Sequence, residues 1–307
     1  MCTDNQTLPT EVMLLGFGQL QQVKPIVLLI CILTYLTILA GNFLIIGLIV
    51  TSPRLRSPMY LFLCNLSFCE VFFTSNIMPN MIYVLWSDGG TISLYGCIAQ
   101  FYIYSSSGSA ECLLLTVMAL DRYLAICNPL RYSSIMNVKT CSQLVVWAWL
   151  SGFIGMCIII TAISNLQFCG QRIVDHFFCD LEPIFHLSSS DTSLVEMEVL
   201  MYAMVMGFLP FLLIILSYVV IGSTIIRIPS ETGRQKAFST CSSHLASVCT
   251  YFGTILILYL VPSHQRSVDV NKLLSLFYTV LTPLFNPIIY SLRNQEIQAC
   301  LLRRHVK

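Results

Sequence analysis

PIVLLICILTYLTILAGNFLIIGLIV, residues 25–50, contains no charged side chain. As a helix rising about 1.5 Å per residue it reaches roughly 39 Å, more than the ~30 Å hydrocarbon core of a bilayer. Lipid offers no water to backbone N–H and C=O groups, so such a run satisfies them internally, as a helix. A barrel strand would be shorter and would alternate polar with apolar side chains, and this segment does neither. It reads as a membrane span.

Six further apolar runs of comparable length lie near 58–85, 96–127, 141–162, 196–226, 236–260 and 268–291. The second, third and fifth exceed what a bilayer needs, which implies tilt or projection into water. The composition agrees: of 307 residues 56% are hydrophobic and 10% charged, against about a quarter charged in a soluble domain. Mean hydropathy is +0.77. A net charge of +1 gives no argument for a nucleic-acid partner. The expected fold is therefore an all-α membrane protein, a seven-transmembrane helix bundle forming one domain over 1–307. Within it, 1–24 form the N-terminal segment, 25–291 the bundle and 292–307 the tail.

Basic residues set the orientation. Arg54, Arg56, Arg122, Arg131, Lys139, Arg227, Arg234, Lys236, Arg293, Arg303, Arg304 and Lys307 share one side, and only Lys24, Arg172, Arg266 and Lys272 the other. Twelve against four places the C-terminus in the cytosol and the N-terminus outside. MCTDNQTLPTEVML lacks the basic and apolar regions of a cleaved signal peptide, so the first span is expected to act as signal anchor. Asn5-Gln6-Thr7 is then an N-glycosylation acceptor on the outside, whereas Asn65-Leu66-Ser67 falls inside the second span. Beyond the seventh span, Ile297, Leu301 and Leu302 form an apolar face beside Arg303 and Arg304, which suits a short amphipathic helix at the lipid surface.

The longest loop, 163–195, lies outside and is acidic, with Asp175, Asp180, Glu182 and Asp191. It carries Cys169 and Cys179, and Cys97 stands at the outer end of the third span. An oxidising exterior favours a disulfide among these three, with the pairing open. Most of the 14 cysteines lie inside spans, as small apolar residues.

Three polar features stand out against this background. Asp121-Arg122-Tyr123, in MALDRYLAIC (118–127), ends the third span on the cytoplasmic side. Pro287, in Asn286-Pro287-Ile288-Ile289-Tyr290, removes a backbone donor and kinks the seventh span, with Pro283 a second weak point. Glu70 and Glu111 lie deep in the second and third spans, where a carboxylate costs several kcal/mol unless paired, neutralised or hydrated. Two such acids on facing helices would share a proton or hold a cation, the alternative being plain hydrogen-bonded burial. Asn42 is expected to bridge helices by hydrogen bonds. The five histidines are scattered along the chain, so no catalytic or metal constellation forms and an enzyme is not expected. A transporter or channel finds support only in the two glutamates, with no internal repeat.

MALDRYLAICNPL and PLFNPIIYSLRN, on seven spans with an outside N-terminus, resemble the rhodopsin-like G-protein-coupled receptors. SPMYLFLCNLSF (57–68), CDLEPIF (179–185), SYVVI (217–221) and KAFSTCSSHL (236–245) narrow the resemblance to odorant receptors, and DHFFCD (175–180) to the tetrapod type. It covers essentially the whole chain, in matched order. The family often has MAYDRY where this chain has Leu120.

The resemblance implies roles residue by residue. Asp121, Arg122 and Tyr123 would form the G-protein switch, Arg122 being held by its acid at rest and released on activation. Asn286, Pro287 and Tyr290 would be the hinge, with Tyr218 the partner of Tyr290 in the active state. A sodium ion, or a proton, would sit among Glu70, Glu111, Asn42, Ser107 and Asn286, and no other cofactor is required. Cys97 would pair with Cys179. The family's second bridge runs from the position of Cys169 to a cysteine where Ser189 stands here, so Cys169 is expected to lack its usual mate. That would leave a looser loop or a free thiol.

The ligand pocket would draw on Tyr104, Ser105, Gly108 and Ser109 of the third span, Tyr202, Ala203 and Met206 of the fifth, Phe252, Ile255, Leu256 and Tyr259 of the sixth, and Tyr278 and Thr279 of the seventh. Many odorant receptors have Tyr in place of Phe252, so that hydroxyl is lost or its role passes to Tyr251. No acid stands at the third-span pocket positions, which suggests a neutral, fairly apolar volatile, although Asp175 and Glu182 of the loop lie within approach. The expected function is an odorant receptor raising cAMP through an olfactory or stimulatory heterotrimeric G protein. Its expected place is the plasma membrane of olfactory neuron cilia. A receptor of this fold serving as a general chemosensor outside the nose is the nearest alternative.

Overall fold

A computed structural model describes residues 10–18, 23–169, 172–260 and 268–305, and Asn5 lies outside them. Strand β1 (Glu11–Leu14) precedes helices α1 (Lys24–Thr51) and α2 (Pro58–Trp86). Next come β2 (Gly90–Ser93), α3 (Leu94–Cys127), α4 (Pro129–Ile135) and α5 (Val138–Ser164). The outer loop holds β3 (Ile173–Val174) and α6 (Leu181–Leu187), before α7 (Ser193–Ala203) and α8 (Leu209–Ile226), which a π turn, Met204–Phe208, joins into one rod. The chain closes with α9 (Glu231–Leu260), α10 (Val268–Arg293) and α11 (Gln295–His305).

The seven spans appear as α1, α2, α3, α5, α7–α8, α9 and α10. Five of them are long and apolar enough to cross a membrane by composition alone; α3 and α9 are not. Protein replaces lipid around α3, which packs against α2, α5 and α8 and buries Gln100, Ser106, Ser107, Glu111, Asp121 and Arg122. The lipid-facing role falls to α1, α5 and α8, which expose Leu29, Leu33, Leu150, Ile154, Leu216 and Val219. Such a surface would be an aggregation liability in water and is ordinary in a bilayer.

Two apolar cores divide the bundle. The outer one joins Phe73 and Ile77 of α2, Cys97 to Tyr104 of α3 and Phe177–Cys179 of the loop. The inner one joins Leu63, Leu66, Leu115, Met118 and Tyr290. A buried polar layer lies between them: Asn42, Glu70, Ser106, Ser107, Glu111 and Asn286.

Prolines shape the helices. Pro210 has no N–H for its own turn, so the ladder slips by one residue and the Leu209 N–H reaches Met204 O, which makes the π turn. Pro287 likewise leaves Pro283 O without its helical donor, and Asn42 Nδ2 supplies one from α1 at 3.2 Å.

A three-stranded sheet, ordered β2-β1-β3, closes the outer end. It adds to the all-helical expectation. β1 runs antiparallel to β2, with Glu11 opposite Ser93, and parallel to β3, with Met13 opposite Ile173. Val12 and Leu14 point into the core while Glu11 and Met13 face out. Gly89, at φ 118°, turns the chain from α2 into β2. Behind the sheet, a Cys97–Cys179 disulfide ties the loop to α3.

Cys169 is disulfide-bonded, which corrects the expected free thiol. Ser189 holds this part of the loop by other means. Its Oγ donates to Cys169 O at 2.8 Å and accepts from Cys169 N–H at 3.2 Å, and its own N–H donates to Gln167 O at 2.7 Å. At the other end, Asn294 Oδ1 accepts from the Glu296 and Ile297 N–H groups and from the Tyr60 hydroxyl, setting the start of α11. Ile297 and Leu301 pack into the inner core; the Leu302, Arg303 and Arg304 side chains lie outside the described residues.

Candidate functional site

Three polar stations lie along α3. The outermost centres on Asp180, which the Cys97–Cys179 bond places above the helix. The Tyr104 hydroxyl donates to one Asp180 oxygen, and the Tyr278 hydroxyl donates to the other at 3.0 Å. The acid that closes this end is thus Asp180, rather than Asp175 or Glu182. Asp175 pairs with Lys272, and Glu182 accepts from Asn271 at 3.3 Å. Beside them His176 is buried against Phe177 and Phe178, with ring centroids 4.6 and 4.8 Å away. Burial pushes its pKa down to about 4, with Lys272 adding to the effect and Asp180 and Asp175 opposing it, so the ring is neutral at physiological pH.

Below Asp180, tyrosines tie the helices across the interior. Tyr202 donates to Ser109 Oγ at 2.8 Å and lies 3.3 Å from Gly152 O, joining α7 to α3 and α5. Ser109 donates in turn to Ser105 O, and Tyr251 donates to Gly108 O at 2.7 Å. The Tyr251 hydroxyl is therefore engaged by the α3 backbone. Phe252 is buried and packs on Phe211 at 4.6 Å. Thr279 turns its hydroxyl back to Ser275 O at 2.8 Å. Ala203, Met206 and Ile255 are half-buried and Leu256 is exposed, while the Tyr259 side chain lies outside the described residues.

The middle station is the polar layer. Asn286 Nδ2 donates to Glu70 Oε1, linking α10 to α2. Glu70 Oε2, Glu111 Oε1, Asn42 Oδ1 and Asn286 Oδ1 are buried and have no hydrogen-bond partner among the described residues. Ser107 spends its hydroxyl hydrogen on Ile103 O at 2.7 Å, which leaves its oxygen free to accept. All of these atoms are oxygen acceptors, a donor set that fits a hard cation or a shared proton.

The innermost station holds Asp121, fully buried, and Arg122, which is 8% exposed. One carboxylate oxygen of Asp121 accepts from Arg122 at 2.8 Å and the other from the Tyr132 hydroxyl of α4 at 2.8 Å. Arg122 Nε has no hydrogen-bond partner among the described residues. Nearby, His244 of α9 lies 3.1 Å from Leu115 O through Nε2 and 2.7 Å from the Tyr218 hydroxyl through Nδ1. A carbonyl only accepts, so in the neutral ring the hydrogen is on Nε2 and Nδ1 accepts from Tyr218. One imidazole thereby fastens α8, α9 and α3 together. Tyr290 is fully buried in the same core.

Asp180 and His244 lie within the blocks CDLEPIF and KAFSTCSSHL, which assign neither a role, and Tyr132 lies outside every block. The cysteine beside Asp180 was the available signal, since a bond from Cys179 to Cys97 carries its neighbour over α3. Nothing in the sequence marks Tyr132.

A family model described as "Olfactory receptor" matches residues 30–307. Human olfactory receptor 11A1 is 44% identical over 97% of this chain and 94% of its own length. Human olfactory receptor 10A7 is 44% identical over 99% of this chain and 96% of its own. Among solved structures, squid rhodopsin superposes with a TM-score of 0.69 at 16% identity, covering 88% of this chain and 82% of that one.

Proposed function

The chain belongs to the olfactory receptor family, and from that premise we propose that it senses a small neutral volatile and raises cAMP through a stimulatory, olfactory-type G protein. It is a signalling receptor of the multi-pass membrane class and not an enzyme. Its family partners are a small odorant outside and a heterotrimeric G protein inside. The ciliary membrane of olfactory neurons is the proposed location.

One observation carries the choice of a neutral ligand. Both oxygens of Asp180 already accept from Tyr104 and Tyr278, and Asp175 is paired with Lys272. An ammonium ligand would have to share Asp180 with both tyrosines, and the charge of Asp175 is already balanced by Lys272. The ligand would lie among Tyr104, Ser105, Gly108, Ser109, Tyr202, Ala203, Met206, Phe252, Ile255, Leu256, Tyr259, Tyr278 and Thr279. It acts by binding better to the conformation in which Arg122 is released. The test is a cAMP reporter in cells expressing the full chain with the stimulatory G protein, against size-matched neutral, amine and acid volatiles. Neutral compounds are expected to dominate the hits. A panel answered only by amines, or only through calcium release, would overturn the reading.

We further propose that the acceptor oxygens of Glu70, Glu111, Asn42, Ser107 and Asn286 hold a sodium ion in the resting state. An ion bound to one state alone stabilises it by mass action. Replacing external sodium with a large organic cation is then expected to lower the agonist EC50 several-fold in the wild type and to leave Glu111→Gln unmoved. No shift in the wild type would assign the site to a proton, and equal shifts in both would place the sodium effect elsewhere.

A further inference from the structure

We infer that Glu198 of α7 selects ligands that carry a hydroxyl group, by accepting its hydrogen bond inside the bundle. The inference rests on the reading of the chain as a receptor for neutral volatiles, and it narrows their class to alcohols and phenols.

Other acids of the outer end are already engaged. Asp88 pairs with Lys24, and Asp175 with Lys272. Asp180 accepts from two tyrosines, Glu182 from Asn271, Asp191 from Ser193 and Glu196 from Thr192. Glu198 differs. It is half-buried, and its Oε2 is shielded from water and has no hydrogen-bond partner among the described residues. An acceptor in that state costs stability, and it calls for a donor that the chain does not supply.

The position of Glu198 on α7 brings it to the proposed ligand site. Val195, Val199 and Tyr202 pack into the outer core, and Glu198 shares their helix face, one turn before Tyr202. Tyr202 donates to Ser109 Oγ. α3 and α7 both run inward from the outer surface, so one turn back along each sets Glu198 level with Ser105.

Donor count separates the ligand classes. An ammonium brings three N–H groups into a place that water does not reach, and each one left unmet costs free energy. Glu198 offers a single buried, uncommitted oxygen beside Val195 and Val199. That matches the one donor of a hydroxyl. A ketone, ester or ether has no donor and leaves Oε2 as it was.

The test uses the full chain in the cAMP reporter, with aliphatic alcohols and phenols each run beside the methyl ether and the matching primary amine. In the wild type each alcohol is expected to be at least about tenfold more potent than its ether. Glu198→Leu is expected to bring the alcohol level with the ether and to leave the ether response unchanged. Glu198→Gln keeps an acceptor oxygen and is expected to retain part of the preference. Equal potency of alcohol and ether in the wild type, or a preference that survives Glu198→Leu, overturns the inference and leaves the neutral-ligand reading standing. Amines more potent than both, and silenced by Glu198→Gln, overturn that reading together with the hydroxyl assignment. A second measurement needs no agonist. Glu198→Leu removes an unpaired buried oxygen, so the ligand-free, detergent-solubilised receptor is expected to melt about 3 °C above the wild type. A variant that melts with or below the wild type shows that the oxygen is already paired in the resting fold, and the inference falls.

Discussion

Arg122→Ala is expected to lower agonist-evoked cAMP at least tenfold at matched surface expression. Arg122 lies almost wholly inside the bundle, held through its pair with Asp121, and its Nε has no hydrogen-bond partner among the described residues. An adjacent-residue pair of this kind is simple to exchange for another partner, since Asp121 keeps the Tyr132 hydroxyl when Arg122 leaves. The cation is the part with something left to give, and its loss removes the charge with which α3 would meet a G protein. Because the substitution also leaves a buried carboxylate with only Tyr132, it should weaken the fold, by up to about 3–5 kcal/mol if no water enters. Surface level must therefore be measured beside signalling. Tyr218→Phe separates the two effects. It keeps the ring against His244 but loses one hydrogen bond of about 1 kcal/mol and the hydroxyl expected to meet Tyr290 in the active state, so it should lower agonist-evoked cAMP while preserving expression. Equal agonist responses from wild type and Arg122→Ala, at equal surface level, would remove Arg122 from the switch.

How far the sequence could be read depends on how local each feature is. Bilayer-length apolar runs and the twelve-to-four distribution of basic residues are properties of single segments, and they led directly to seven helices. The Asp121-Arg122 pair, the prolines of α10 and the two deep glutamates were visible for the same reason. What escaped depends on pairing across distance. β1 is four residues long, too short for alternation to show, and its partners lie near residues 90 and 173. That Glu70 meets Asn286, or that His244 meets both Tyr218 and Leu115 O, follows from how α2, α9 and α10 are rotated about their axes. Cys169 shows the same limit from the other side. Ser189 correctly signalled that its usual partner was missing, but only the folded chain reveals that the sulfur is bonded elsewhere.

The helix contact most sensitive to substitution was also invisible in the sequence, and it gives the second large effect: Gly152→Val should lower the melting temperature by on the order of 8 °C. A Cβ on Gly152 would lie 2.6 Å from Ser106 O and 3.1 Å from Ala110 N, both backbone atoms of α3. A side chain can rotate out of such a clash, whereas a helix backbone must move as a unit. Ala148, one turn earlier on α5, and Ala110 are fully buried in the same contact. Between helices in lipid, association rests on close packing and interhelical hydrogen bonds, since lipid tails solvate leucine as well as protein does. Separating α3 from α5 therefore loses dispersion contacts that the bilayer does not return, at about 1–3 kcal/mol for an overpacked core and near the top of that range here. The Tyr202 contact with Gly152 O would stretch as well, disturbing the tyrosine network around the proposed ligand site. Two controls make the cause readable. Gly155→Ala meets the Tyr202 ring at 2.8 Å, and that ring can swing aside, so it should shift agonist potency more than stability. Gly222→Val has nothing within 4 Å of its new Cβ and should melt close to the wild type. If Gly152→Val melts with Gly222→Val, α3 and α5 do not approach this closely, and the central position of α3, with its buried polar layer, loses its packing basis.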